Sequence, residues 1–200
     1  LRSVNYRSNG IDNNLRPINF DLNYLFFNPK FSITKNTGLR SALTASFAVA
    51  HREPDRSDFT DHGKLTLPRA ESLYDTELSW KLTTSQSIFE VTSYYMSYKD
   101  QLIPTGQLND VGNTLRKNID RSYRLGVELV GQFALNTKLN AGANLTLSKN
   151  KIENFTEVIY DYTQGLEEKK IEHGQTDISL SPGVVGAIFL TYSPIAPLRI

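Results

Sequence analysis

Two neighbouring segments of this chain alternate apolar and polar residues, and this period of two constrains the fold more than any other feature. From Leu125 to Leu135 the odd positions are almost all leucine, valine or phenylalanine, whereas the even positions are mostly polar or small. The pattern resumes from Leu139 to Leu147. Because successive side chains of a strand point to opposite faces of a sheet, both segments are predicted to be long strands with one apolar face.

The short break between these segments, Asn136-Thr137-Lys138, predicts a turn that joins them as a hairpin. One register places Leu129 opposite Leu145 and Val127 opposite Leu147. Apolar side chains then face apolar side chains along the whole pair, as a stable antiparallel register requires.

The same test predicts a second hairpin, in which Ser85-Gln86 is a two-residue turn. One register there pairs Trp80 with Val91 on one face and Lys81 with Glu90 on the other. An apolar contact and a charge pair are therefore satisfied together by a single register.

Extending this reasoning along the chain predicts seven antiparallel strands. They are Asn23–Lys35, Leu39–Arg52, Glu71–Thr84, Ser87–Gln101, Ser122–Leu135, Leu139–Lys151 and Ser179–Tyr192. Short turns alternate strictly with three long polar connections, which are Glu53–Ala70, Leu102–Arg121 and Ile152–Ile178. Membrane barrels have short periplasmic turns at one rim and longer extracellular loops at the other. The sequence thus predicts an all-β fold, an antiparallel up-and-down transmembrane β-barrel segment.

A soluble β-sandwich is the alternative fold, since its strands also alternate apolar and polar faces. Strands of about thirteen residues exceed the five or six that are usual in soluble sheets, and this length favours a tilted bilayer crossing. The longest apolar run, Gly183–Leu190, is far shorter than the roughly 20 residues of a membrane helix.

The composition removes several classes of function. The chain has 200 residues and a formal net charge of +1, which gives no reason to propose nucleic acid as a partner. It has no cysteine, so thiolate metal sites and cysteine nucleophiles are excluded. Its histidines, His51, His62 and His173, have no metal-binding spacing, and no Ser–His pair with an orienting partner is evident. We therefore predict no catalytic residue, no metal ligand and no cofactor, and that the protein is not an enzyme.

Five segments carry a family resemblance. They are Phe26–Thr34 (FFNPKFSIT), Ser46–Asp61 (SFAVAHREPDRSDFTD), Glu71–Leu82 (ESLYDTELSWKL), Tyr94–Gly112 (YYMSYKDQLIPTGQLNDVG) and Ser122–Phe133 (SYRLGVELVGQF). Ser179–Pro194 fits less sharply. Together these segments resemble the C-terminal barrel region of TonB-dependent outer-membrane receptors, especially those of Bacteroidetes-type bacteria.

The resemblance implies a barrel of about 22 strands, of which this chain would form about seven. It also implies an N-terminal plug domain and a TonB box, and neither is expected within these 200 residues. The chain starts without a methionine or an apolar signal core. We therefore expect residues 1–200 to be a partial TonB-dependent receptor β-barrel domain.

For the parent protein, the resemblance implies active transport across the cell outer membrane of a Gram-negative bacterium. The cargo would be a scarce small-molecule ligand such as an iron–siderophore complex or another metal chelate. The other expected partners are outer-membrane lipid and the TonB energy-coupling complex, which the N-terminal part would contact. The alternatives are a passive porin-like or adhesin-type barrel, and the soluble β-sandwich acting as a binding module.

Three residues are the candidate ligand-binding groups, namely His51, Arg52 and Arg56. They lie where a predicted strand leaves the membrane on the long-loop side, at the extracellular rim. Two guanidinium groups suit an anionic or chelated ligand, because each presents a planar fork of donors. The alternative is that these groups only form rim salt bridges, which contribute little when exposed. The acids available for such bridges are Glu53, Asp55, Asp58 and Asp61.

Five charged residues of the predicted strands should face the barrel lumen. A lysine or arginine on the lipid face costs roughly 2–4 kcal/mol near the membrane midplane. The predicted lumen-facing residues are Glu77, Lys81, Glu90, Arg124 and Glu128. Trp80 and Val91 would then face lipid. Tyrosines near strand ends, such as Tyr95 and Tyr123, suit interfacial girdles or ordinary cross-strand packing.

Overall fold

Strands make up most of the described backbone in the computed structural model of this chain. The structure describes residues 1–11, 17–60, 67–109, 112, 114–161, 163 and 167–193, with the backbone alone at 17 and 18. The strands are β1 (Arg2–Ile11), β2 (Pro17–Phe26), β3 (Lys30–Asn36), β4 (Ser41–Arg52), β5 (Glu71–Thr83), β6 (Ser87–Lys99), β7 (Gln101–Leu108), β8 (Thr114–Ile119), β9 (Ser122–Ala134), β10 (Leu139–Asp161), β11 (Glu167–Asp177) and β12 (Val184–Tyr192). One short helix, α1, spans Arg56–Thr60.

One antiparallel sheet dominates the fold, with the strand order β11-β10-β9-β6-β5-β4-β3. Strand β10 is long enough to pair twice along the same edge. Its first part, from Leu139 to Leu147, pairs with β12, and its later part, from Lys151 to Asp161, pairs with β11. We call β3, β4, β5, β6, β9, residues 139–152 of β10, and β12 the wall. The wall has seven strands in up-and-down order, and each overlaps one of the seven that the sequence predicts.

Both predicted hairpin registers are confirmed. In the β9–β10 pair, Leu129 lies opposite Leu145 and Val127 opposite Leu147. In the β5–β6 pair, Trp80 lies opposite Val91 and Lys81 opposite Glu90. The lysine Nζ is 3.4 Å from the glutamate carboxylate, so the expected charge pair forms.

The register gives the wall one apolar face and one polar face. Leu78, Val127 and Leu147 share the apolar face, whereas Glu77 and Glu128 share the polar face. The apolar side chains are not covered. For example, Leu78, Val127 and Leu147 are 37% to 49% exposed, and Ile188 is 84% exposed.

This exposure argues against the soluble β-sandwich, which buries such a face beneath a second sheet. Within the described residues, the other two sheets are the separate hairpins β1–β2 and β7–β8. The described part of the chain also contains no helix that is long and apolar enough to cross a membrane.

The three long connections were expected to be loops, and this prediction is wrong for most of their length. Leu102–Arg121 contains the hairpin β7–β8, and Ile152–Ile178 contains the second half of β10 and the whole of β11. Glu53–Ala70 contains α1. The polar stretch before Asn23 also forms a hairpin, β1–β2, and the predicted strand Asn23–Lys35 is broken at residues 27–29.

The buried apolar core lies mainly in these connections, and Ile152 is its one isoleucine that also belongs to the wall. Its centre is a cluster of four isoleucines, with Phe155 packed against it. The four are Ile103, Ile119, Ile152 and Ile178. Each comes from the hairpin β7–β8 or from the region around β10 and β11, so burial of this cluster holds the two hairpins together. These segments are mostly polar in sequence, so the few apolar residues that form the cluster are not evident from the sequence pattern.

Candidate functional site

The hairpin β7–β8 leans over the polar face of the wall at the long-loop rim. The carboxylate of Glu71, which shares a face with Glu77, accepts a 2.7 Å hydrogen bond from the backbone N–H of Leu102. On β9, two strands away, the Ser122 hydroxyl donates a 2.5 Å hydrogen bond to the Gln101 side chain. Both contacts are on the polar side, so the hairpin narrows the space above that face.

Helix α1 is fastened to this hairpin by one arginine. Arg116 of β8 lies 3.2 Å from the carboxylate of Asp58, whose side chain is only 2% exposed. Arg116 also reaches Asp55 at 3.5 Å and donates to the backbone carbonyl of Leu102. Asp58 additionally accepts from the backbone N–H of Asp55, which closes the first turn of the helix.

An aromatic stack fastens the hairpin β1–β2 to the same helix. The rings of Tyr6, Phe20 and Phe59 stack on one another with centroid separations of 4.8–5.5 Å. Burial in this stack raises the pKa of the Tyr6 phenol, and the carboxylates of Asp55 and Asp58 reinforce that shift. The hairpin, the helix and β8 therefore form one connected assembly.

A close backbone approach fixes β7 against β10. Gly106 has a φ of +84°, and a Cβ at this position would lie 2.4 Å from the backbone carbonyl oxygen of Val158. Only glycine combines that φ with such an approach. At the outer end of the same contact, the Gln107 side chain donates to Glu168 of β11 at 3.2 Å.

The structure places the three predicted ligand groups in different surroundings. His51 stacks on Phe26 with a centroid separation of 5.4 Å, and its Nδ1 is 2.8 Å from the side-chain oxygen of Asn28. Arg52 points to the opposite face of β4, where its guanidinium donates a 2.9 Å hydrogen bond to Glu71. Arg56 is exposed on α1, and its charge opposes the rise in the pKa of Tyr6.

The four acids proposed as their salt-bridge partners are otherwise engaged where the structure describes them. Glu53 pairs with Arg2, and Asp55 and Asp58 pair with Arg116. Asp61 lies outside the described residues, as does His62. Sequence reasoning missed Arg2 and Arg116 because their partners are more than fifty residues away along the chain, and no local pattern marks such a pairing.

Comparison with known protein families identifies the family of this chain. A family model described as "TonB dependent receptor-like, beta-barrel" matches residues 1–197. The chain belongs to this family. A search with the sequence against curated proteins finds no match.

Two solved structures have a similar fold. The first, "Copper transporter OprC", is 13% identical with a TM-score of 0.52, and the match covers 80% of this chain and 30% of that one. The second, "The FrpB iron transporter from Neisseria meningitidis (F3-3 variant)", is 15% identical with a TM-score of 0.50, and the match covers 90% of this chain and 34% of that one. The chain therefore spans about a third of the length of these structures.

In this TonB-dependent receptor barrel, the register places all five predicted polar residues on the same face of the wall. Glu77 on β5 pairs with Ser46 on β4 and with Tyr94 on β6, so these three side chains share one face. The same cross-strand pairing puts the other four residues on that face. The four are Lys81, Glu90, Arg124 and Glu128. Short polar contacts connect neighbours, such as the 3.1 Å hydrogen bond from the Ser79 hydroxyl to Glu90.

The described part of the receptor barrel holds no group of three or more histidine, aspartate or glutamate side chains placed to bind a metal ion. Of the two histidines it describes, His51 bonds to Asn28, and His173 bonds to Glu157 at 2.9 Å. The first contact joins β4 to the break before β3, and the second joins β11 to β10, so both rings have a structural use.

Proposed function

We propose that this chain builds about a third of the wall and rim of an outer-membrane active-transport receptor. Membership of the TonB-dependent receptor barrel family carries the proposal. The two-faced wall supports it, because an exposed face of leucine, valine and isoleucine is costly in water and stable against lipid tails. In this proposal the apolar face meets outer-membrane lipid, and the polar face, with Glu77, Lys81, Glu90, Arg124 and Glu128, lines the lumen.

The packed rim is the part that would meet the ligand. Four elements from separate parts of the chain, the β1–β2 hairpin, α1, the β7–β8 hairpin and the β10–β11 hairpin, are joined by stacking, ion pairs and a small apolar core. A rim held in this way presents a preformed mouth, and a preformed site loses less conformational entropy on binding than a set of free loops.

The cargo is proposed to be a scarce metal chelate such as an iron–siderophore complex. Support comes from the printed titles of the two similar structures, which name a copper transporter and an iron transporter. Arg56 is the proposed contact with an anionic chelate, since its guanidinium is exposed on α1 at the rim. Arg52 lies beside the same mouth, where its contact with Glu71 would position the strand end. His51 points to the apolar face and contacts Asn28 there, so it is not proposed as a ligand contact.

Energy coupling separates this proposal from a passive porin-like or adhesin-type barrel. The test uses the full-length parent protein in its own bacterium, with a deletion strain and a complemented strain. Uptake of a radiolabelled ferric siderophore is measured with and without a protonophore. We expect uptake to require the protein and to stop when the protonophore is added. Uptake that persists with the protonophore indicates a passive barrel, and unchanged uptake in the deletion strain rejects this cargo.

A matched pair of variants tests the rim contact. Arg56→Gln should raise the ligand concentration for half-maximal uptake about tenfold, because one charge-assisted contact is lost. Arg40→Gln is the control, since Arg40 is equally exposed but lies at the short-turn end of the wall, beside the backbone pairing of Thr37 with Ser41. Equal effects of the two substitutions contradict the role of Arg56.

A further inference from the structure

A cleft of about 800 Å³ opens on the apolar face of the wall at its long-loop end. Its outward lining combines three tyrosines from three neighbouring strands with three basic residues. These residues are Tyr74, Tyr95, Tyr123, Arg69, Lys99 and Arg121. The register puts these three tyrosines on the same face as Leu78 and Val127, so most of the cleft is turned away from the lumen. Tyr98 and Ser122, which belong to the polar face, also line it.

Side chains on this face change in character along the strands. The row with Leu78, Val127 and Leu147 is apolar except for Ser93 on β6. The next two rows toward the long-loop end bring Tyr95 beside Leu125 and Lys149, and then Tyr123 beside Lys151. The last row holds Lys99 on β6, and Arg121 follows at the end of β9, where its carbonyl accepts from the N–H of Glu153. From the middle of the wall toward its long-loop end, the side chains of this face are therefore first mostly apolar, then tyrosine and lysine, and finally basic.

Three basic and three acidic side chains line the cleft, and they are only partly paired. Arg69 pairs with Asp100 and Asp120, and Lys151 pairs with Asp177 at 2.7 Å. Within the described residues, Lys99, Arg121 and Lys149 have no ion pair, and Glu153 is the one acid lining the cleft that has none. Three free cations therefore face one free carboxylate.

We propose that this cleft binds the phosphorylated headgroup of a lipid in the outer leaflet of the membrane. The inference rests on the proposed function, since it needs the apolar face of the wall to be in lipid. Tyrosine rings locate at the level of the headgroups, where one edge is wet and the other is apolar. Free lysine and arginine at that level attract anionic lipid phosphates.

The two halves of such a lipid match the two parts of the face. Acyl chains lie against the leucines and valines nearer the midplane, and the phosphate lies above the tyrosines, within reach of Lys99 and Arg121. The guanidinium of Arg121 supplies a planar fork that suits phosphate oxygens, and Lys99 supplies a point charge. A free phosphate ion would use the same cations but would gain nothing from the apolar rows.

The experiment measures lipid binding by the full-length receptor reconstituted in phosphatidylcholine nanodiscs. A trace of a bisphosphorylated glycolipid is added, and its dephosphorylated form serves in a parallel arm. Bound lipid is counted by native mass spectrometry. The double variant Lys99→Gln/Arg121→Gln should bind the phosphorylated lipid about 25-fold more weakly, at about fivefold for each surface cation. Lys35→Gln/Lys138→Gln is the control, since it removes the same charge at the short-turn end of the wall.

Equal loss in both double variants, or no preference for the phosphorylated lipid, overturns the inference while leaving the transport proposal intact. Displacement of the lipid by millimolar inorganic phosphate also overturns it, since the cleft is then a phosphate site only. A parent protein that fractionates away from the outer membrane rejects the transport proposal, and this inference falls with it. Circular dichroism of each variant confirms that the barrel is folded.

Discussion

Arg116 and Asp58 form an ion pair with a separation of 3.2 Å, although 58 residues of chain separate them. The pair joins a strand of one rim hairpin to the short helix of another connection. Because the aspartate side chain is almost fully buried, its charge depends on this arginine for compensation. The assembly of the rim therefore depends on a long-range contact between two segments that look like solvated loops in the sequence.

Replacing Arg116 with methionine should loosen the rim without unfolding the wall. A fully buried pair costs roughly 3–5 kcal/mol when one partner is removed, and we expect about 2–3 kcal/mol here because Arg116 is partly exposed. Hydrogen exchange should show the loss as faster exchange in residues 56–60 and 101–119. Arg7→Met is the control, since its pair with Asp21 is exposed and should contribute less than about 1 kcal/mol. Equal effects at both sites contradict the prediction.

Gly106→Ala should separate β7 from β10. The substitution adds a Cβ at 2.4 Å from the Val158 carbonyl oxygen and strains a φ of +84°. Gly112→Ala isolates the strain, about 1 kcal/mol, because Gly112 has a φ of +83° but nothing within 4 Å of its Cβ position. Gly106→Ala should cost roughly 1–3 kcal/mol more than this control, measured as hydrogen exchange at residues 152–160. Matching costs would show that the close approach is unimportant.

Adjacent residues of β9 should differ in their surroundings once the parent is in a membrane. Leu129 lies on the apolar face and Glu128 on the polar face. Spin labels on Leu129→Cys and Glu128→Cys report this by their collision rates with oxygen, which concentrates in lipid, and with a water-soluble nickel chelate. We expect oxygen to dominate at position 129 and the chelate at position 128. The reverse result would exchange the lipid and lumen faces.

The two ends of the wall should lie on opposite sides of the outer membrane. Glu172, on β11, belongs to the rim, whereas Lys138 lies in the turn between β9 and β10. In intact cells, a membrane-impermeant maleimide should label Glu172→Cys and leave Lys138→Cys unlabelled until the membrane is opened. Labelling of position 138 in intact cells would reverse the orientation.

The far end of the β10–β11 hairpin should open in acid. Hydrogen bonds from Lys169 and then Thr163 lower the pKa of Asp161 from 3.8 to about 2. A carboxyl whose pKa is lowered by folding stabilises the folded form above its unfolded pKa, and this stabilisation disappears as the pH falls through the folded value. Protection factors of the amides near the hairpin end, which correct for the intrinsic pH dependence of exchange, should therefore fall between about pH 4 and pH 2. Asp161→Asn should remove this dependence, and an unchanged profile in that variant would exclude Asp161 as its source.

The sequence by itself determined the wall. Period-two alternation identified its strands, and cross-strand matching fixed the registers of Leu129 with Leu145 and of Trp80 with Val91, because hairpin partners are close in sequence and a slip of one residue would reverse every side chain. The residues of the resemblance led to the family that the comparison shows.

The tertiary structure alone decided the rim. The connections are rich in charge, and their apolar positions, such as Ile119 and Ile178, are too sparse for a periodic signal, yet they meet in a buried cluster. Contacts such as Arg116 with Asp58 join residues far apart in the chain, so no local pattern specifies them. Hydrogen bonding and burial between distant segments turn these polar connections into packed hairpins, and only the folded chain brings their partners together.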